Sequence, residues 1–104
     1  MVASADHLAT SGGLAIFAQG GNAVDAAIAT NAVMAVTGPH LCGIGGDLFA
    51  LIHVDDPNNP DTPGATFALN ASGRAGSGAN AAALRSEGFP EMPFKLDVRS
   101  VTVP

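Results

Sequence analysis

Tryptophan and tyrosine are absent from this chain, cysteine occurs once, and only four of its 104 residues are lysine or arginine. Each shortage closes off a class of function. The lone Cys42 has no partner for an internal disulfide, so cysteine usage leaves the redox compartment open. Four scattered cations, within a formal charge of −5, argue against nucleic acid, because neutralising a phosphate backbone takes clustered basic side chains. The longest apolar run, Ala26 to Val36, is too short for a bilayer and is broken by Thr30 and Asn31, so no membrane segment is expected. Asp6 and His7 stand where a secretory leader has a basic start and an apolar core. That favours a cytoplasmic address, or a periplasmic or secreted one if residues precede Met1. Charged residues make up 12% of the chain, well below the usual quarter or so. A chain so poor in charge and so rich in alanine and glycine reads as an interior layer that expects a partner. Its length suits one small domain or part of a larger one, marginal without help.

What is present has clear organisation. Leu14, Phe17 and Ala18 at i, i+3, i+4 predict a helix from Ser11 to Gln19, stopped by Gly20 and Gly21. Asn22 is an N-cap with Asp25 three residues on, and the helix it opens runs to about Val36, ending at Gly38 and Pro39. That helix is apolar on nearly every face, which predicts cover on more than one side. Asp47 to Val54 reads as a strand, and its continuous apolar stretch from Leu48 to Ile52 predicts cover on both faces. Residues 55–64 form an exposed Pro/Asn/Asp loop, and Thr66 to Leu69 a second strand of the same hairpin. Asn70 to Asn80 reads as loop, Ala81 to Glu87 as a short helix ended by Gly88, and the segment from Phe89 as a proline-interrupted tail. The order predicts an α+β fold, helices layered on an antiparallel sheet.

Candidate chemistry narrows quickly. Gly43, Gly45 and Gly46 in CGIGGD make either a tight turn or a surface where backbone N–H groups approach a ligand. The run lacks the third glycine of G-x-G-x-x-G, precedes a strand, opens no helix and has no P-loop lysine, all of which speak against a nucleotide. His7, His40, Cys42 and His53 are the soft ligands available. His40 and Cys42 lie two apart, with no second pair at zinc-type spacing, so a packed histidine beside a small thiol is expected and no metal. Ser4, Ser11, Ser72 and Ser77 lack a G-x-S-x-G elbow and read as cap or turn residues. Arg74, in LNASGRAGSG, has no obvious carboxylate partner in sequence. Its planar fork suits bidentate binding of a ligand carboxylate; the alternative is a solvated loop arginine.

Four stretches together resemble the gamma-glutamyltransferase family: Val2-Ala3-Ser4 with His7-Leu8-Ala9, Gly20 to Ala27 (GGNAVDAA), Pro39-His40 with Gly43 to Gly46, and LNASGRA at residues 69–75. Ser100 to Pro104 is similar to the start of the family's next motif. The chain departs from the pattern at Leu8, where the family has proline after the histidine, and at Gly76, where proline usually follows Arg-Ala. Asp47 and the LNASGRA wording resemble the gamma-glutamyltransferase-like branch, which leaves open other amides, including those of small acids such as oxamate.

The resemblance implies an αββα N-terminal-nucleophile hydrolase sandwich, incomplete in this chain. It implies a precursor that cuts itself to free a threonine, whose hydroxyl attacks a gamma-glutamyl amide while its own α-amino group serves as base. It assigns Arg74 to the substrate α-carboxylate and makes Gly43 to Gly46 a close-packed scaffold turn. No cofactor or metal is implied. None of the six threonines here occupies the nucleophile's context, so no catalytic residue is assigned. Residues 1–104 are therefore expected to be the N-terminal segment of a large subunit. Its partners would be the rest of that subunit, the small subunit and a small gamma-glutamyl substrate, and the segment alone would be inactive. A non-catalytic scaffold is the competing expectation.

Overall fold

The computed structural model describes residues 1–56, 58, 59, 61, 63–93 and 97–104, with Val103 described for its backbone only. Two compact units, Met1–Gly46 and Asp47–Pro104, make up the chain. The first is a helical pair, α1 (His7–Ala18) and α2 (Ala23–Thr37). Helix α1 begins four residues before the expected Ser11, because the Asp6 carboxylate accepts hydrogen bonds from the backbone N–H groups of Leu8 (2.9 Å) and Ala9 (3.0 Å). Those bonds, the one from Ala9 foremost, hold the Asp6 carboxyl below its ordinary pKa. Gly12 and Gly13 fall inside the helix, at a propensity cost of about 1 kcal/mol each relative to alanine. Their value lies in contact: a methyl group on Gly13 would overlap Thr30 Oγ1 of α2, and one on Gly12 would come within 3.1 Å of Val33 Cγ2.

Asn22 closes the expected box at the start of α2. Its Oδ1 accepts from Val24 N (2.8 Å) and Asp25 N (3.1 Å), while Asp25 Oδ2 accepts from Asn22 N at 2.9 Å. Cover on several sides is not what α2 receives. It buries one stripe, Ala26, Thr30 and Met34, and leaves Ile28 and Val36 exposed, since α1 reaches only one face. The buried Thr30 hydroxyl is satisfied within its own helix, donating to the Ala26 carbonyl at 2.7 Å. Past α2 the glycine run forms a turn in which Gly46 N donates to the Gly43 carbonyl at 3.1 Å. It is not close-packed: a methyl on Gly43 or Gly45 would meet nothing within 4 Å among the described residues.

The second unit opens on an antiparallel hairpin. Strand β1 (Leu48–Val54) pairs with β2 (Ala65–Ala71) in register from Leu48↔Ala71 to Val54↔Ala65. Its apolar side chains lie open on both faces, Leu51 being 81% exposed, where the sequence predicts cover. A two-stranded ladder satisfies backbone groups but supplies no layer to bury its faces. The segment read as loop contains a two-residue strand, β3 (Arg74–Ala75), and helix α3 (Ala81–Ser86) follows, capped by Asn80. The tail carries a 3₁₀ turn (Val98–Ser100) and β4 (Thr102–Val103), which pairs antiparallel with β3. Among the described residues, three α-helices and two antiparallel strand pairs make a mixed arrangement compatible with an α+β fold.

Candidate functional site

Asn70 starts the local geometry around Arg74. Its side-chain Oδ1 accepts from Ser72 N at 3.2 Å, turning the chain as it leaves β2. Gly73 follows with φ +73°, a left-handed conformation that glycine takes without steric cost. Arg74 then enters β3 opposite Val103, with Ala75 opposite Thr102. Asn70, Ala71, Ser72, Gly73, Arg74 and Pro104 line an open pocket of about 480 Å³. No carboxylate lies within ion-pair distance of the Arg74 guanidinium among the described residues. An exposed, unpaired fork at the edge of a pocket is available to an external carboxylate.

Strand β4 is anchored from two directions. Thr102 Oγ1 donates to Asp47 Oδ1 at 2.9 Å. Arg99, on the 3₁₀ turn, forks onto Glu87 (2.9 and 2.8 Å) and also bonds both oxygens of Asp97. Asp97 additionally accepts from Arg99 N at 2.8 Å, capping the turn. Hydrogen bonding from Arg99 holds the Asp97 carboxyl down at about 2 and lowers Glu87 as well, and the two carboxylates raise Arg99 in return. Of the described arginines, Arg99 is committed to structure whereas Arg74 is not. Sequence reasoning passed over this cluster and the Asp47–Thr102 bond. Asp97 ahead of a turn carried a local capping signal, but Asp47 and Thr102 lie 55 residues apart and carried none.

The other candidates are absorbed by local structure. Ser4 bonds the Asp6 carbonyl and the Thr10 hydroxyl, and Ser11 bonds the His7 carbonyl. His53 Nδ1 meets Thr66 Oγ1 at 2.9 Å as a cross-strand pair, with Nε2 3.3 Å from Asp55. No group of three or more His, Cys, Asp or Glu side chains is arranged to hold a metal among the described residues. A cavity of about 390 Å³ beside α1 and α2, lined by Phe17, Ala26, Thr30 and Met34 among others, presents no charged side chain. No described helix is long and apolar enough to cross a membrane.

Comparison with known proteins decides the family. The sequence model of the gamma-glutamyltranspeptidase family matches residues 9–104. This chain belongs to the gamma-glutamyltranspeptidase family. It is similar to the glutathione hydrolase-like YwrD proenzyme of Bacillus subtilis, with 38% identity over the whole chain and 18% of that protein. It is 43% identical to the oxamate amidohydrolase proenzyme of Klebsiella pneumoniae over 74% of the chain and 13% of that protein. The glutathione hydrolase proenzyme of Escherichia coli is 36% identical over 74% of the chain, which covers 17% of it. The chain thus spans less than a fifth of each of these gamma-glutamyltranspeptidase relatives.

Proposed function

We propose that residues 1–104 are the N-terminal segment of the large subunit of a gamma-glutamyl amide hydrolase or transferase, with Arg74 as the anchor for the substrate carboxylate. The observation that carries this is the Arg74 fork, without an ion-pair partner among the described residues, beside the pocket at the β2–β3 turn, in a chain of the gamma-glutamyltranspeptidase family. The segment would contribute part of an αββα N-terminal-nucleophile sandwich. The open faces of the β1–β2 hairpin suit a strand that other layers of such a sandwich cover.

The nucleophile is a threonine outside this chain, freed when a precursor cuts itself; the relatives named as proenzymes support that step. Its hydroxyl adds to the amide carbonyl, and the hydroxyl proton passes through the α-amino group to the departing amine. Water or an acceptor amine then takes the acyl group and restores the threonine. Arg74 takes no part in bond making. It fixes the carboxylate end so that the amide carbonyl meets the nucleophile at reacting distance.

Kinetics of the full-length protein test this. Arg74→Ala is expected to raise KM for a gamma-glutamyl anilide by about a hundredfold, as loss of a charge-assisted bidentate contact does, with Arg74→Lys intermediate. Unchanged KM in both variants would remove Arg74 from the site. The likeness to an oxamate amidohydrolase supports a second reading, hydrolysis of a small acid amide by the same chemistry. Oxamate also carries a carboxylate, so both substrates use Arg74, and parallel assays with the two amides separate the readings.

A further inference from the structure

Asp47 stands between the glycine turn and β1, where strand formation calls for no acid and aspartate is disfavoured. No cation lies within ion-pair distance of it among the described residues; the partner of its carboxylate is the Thr102 hydroxyl at 2.9 Å. Thr102 is paired with Ala75, next to the Arg74↔Val103 pair. On the other side, Leu48 follows Asp47 and is paired with Ala71, from which the Ser72–Gly73 turn leads back to Arg74. The contacts form a closed ring: Asp47, the β1–β2 end, the turn, β3, β4 and Asp47 again.

The ring matters because β3 and β4 are two residues each. So short a ladder has too few hydrogen bonds to fix its own position. We infer that Asp47 is a positioning residue for Arg74: by holding Thr102 it keeps β4 against β3 and so keeps the guanidinium at the pocket. The inference rests on Arg74 as carboxylate anchor for its kinetic consequence, but not for its structural one.

The test uses the full-length protein and two readouts. Hydrogen exchange of the segment around Arg74 and Ala75 is expected to speed up about tenfold in Asp47→Ala and in Thr102→Val, and no further in the double variant. Asp47→Asn keeps an acceptor oxygen for Thr102 and is expected to stay near the parent. Unchanged exchange in Asp47→Ala, or additive effects in the double variant, would overturn the positioning role. The second readout compares a gamma-glutamyl anilide with a 4-aminobutanoyl anilide, which lacks the α-carboxylate. Asp47→Ala is expected to raise KM about tenfold for the first at nearly constant kcat and to leave the second unchanged. Equal losses on both substrates would also overturn the role. Faster exchange with neither KM altered would uphold the positioning of Arg74 and defeat Arg74 as the carboxylate anchor.

Discussion

Gly13 faces Thr30 across the α1–α2 crossing with no room for a methyl group between them. A Cβ there would overlap Thr30 Oγ1 and lie 3.1 Å from the Ala26 carbonyl oxygen, to which Thr30 donates its hydroxyl. Thr30 is 8% exposed and cannot swing into solvent without giving up that bond. Gly13→Ala gains about 1 kcal/mol in helix propensity. Overpacking opposes the gain by about 1–3 kcal/mol. The expected net result is destabilisation, seen as a lower urea midpoint at unchanged slope. Gly13→Ala combined with Thr30→Ala removes the overlap and is expected to recover the loss; a double variant worse than either single would contradict the packing argument.

The Asn22–Asp25 box sets the start of α2. Asn22→Ala strips acceptors from Val24 N and Asp25 N and is expected to cost about 1 kcal/mol. Asn22→Asp keeps the acceptor and adds a negative charge that the helix N-terminus favours, so it is expected to stay near the parent. Denaturant unfolding of the three proteins checks the order.

That box was legible in the sequence because each of its parts lies within one turn of the others. So were the hairpin strands, whose apolar runs are bounded by turn residues. The spacing of Leu14, Phe17 and Ala18 places the start of α1 at Ser11, four residues late, because it carries no sign of the Asp6 cap; the close fit of Gly12 and Gly13 shows only once Thr30 and Val33 of α2 are beside them. The β3–β4 pair was invisible for a related reason. Arg74 and Val103 are far apart in sequence, and a two-residue strand has no periodicity to detect. Composition reads as that of an interior layer that expects a partner; the β1–β2 hairpin itself leaves Phe49, Leu51 and Phe67 exposed. Arg74 could be named as a candidate from its planar fork and its polar, glycine-rich neighbourhood. The contacts that anchor β4 beside it, Thr102 to Asp47 and Arg99 to Glu87, join residues 55 and 12 positions apart, beyond any local pattern.

Acid is expected to loosen the Arg99 cluster in a defined window. Asp97 falls from an ordinary 3.8 to about 2 in the folded chain, and Glu87 is lowered from 4.5, both chiefly through hydrogen bonds from Arg99. Their folded pKa values are depressed, so the unfolded chain binds more protons in this range. The contribution is therefore fully present above about pH 4.5 and is lost as pH falls toward 2. Arg99→Gln is expected to flatten the dependence of the unfolding midpoint on pH across that window. An equally steep dependence in the variant would show that other carboxylates dominate.

Gly73 controls the direction in which the chain enters β3. At φ +73° an L-residue other than glycine is strained by about 1–2 kcal/mol, and asparagine tolerates the conformation better than most. Gly73→Ala is therefore expected either to strain the turn or to reopen it, and both displace Arg74 from the pocket. In the full-length protein the order of KM for a carboxylate-bearing amide should be parent, then Gly73→Asn, then Gly73→Ala, then Gly73→Val. Because Arg74 itself remains intact, kcat should change less than KM. A Gly73→Val protein with the parent's KM would show that carboxylate binding does not depend on this turn, and would move the anchor away from the β2–β3 junction.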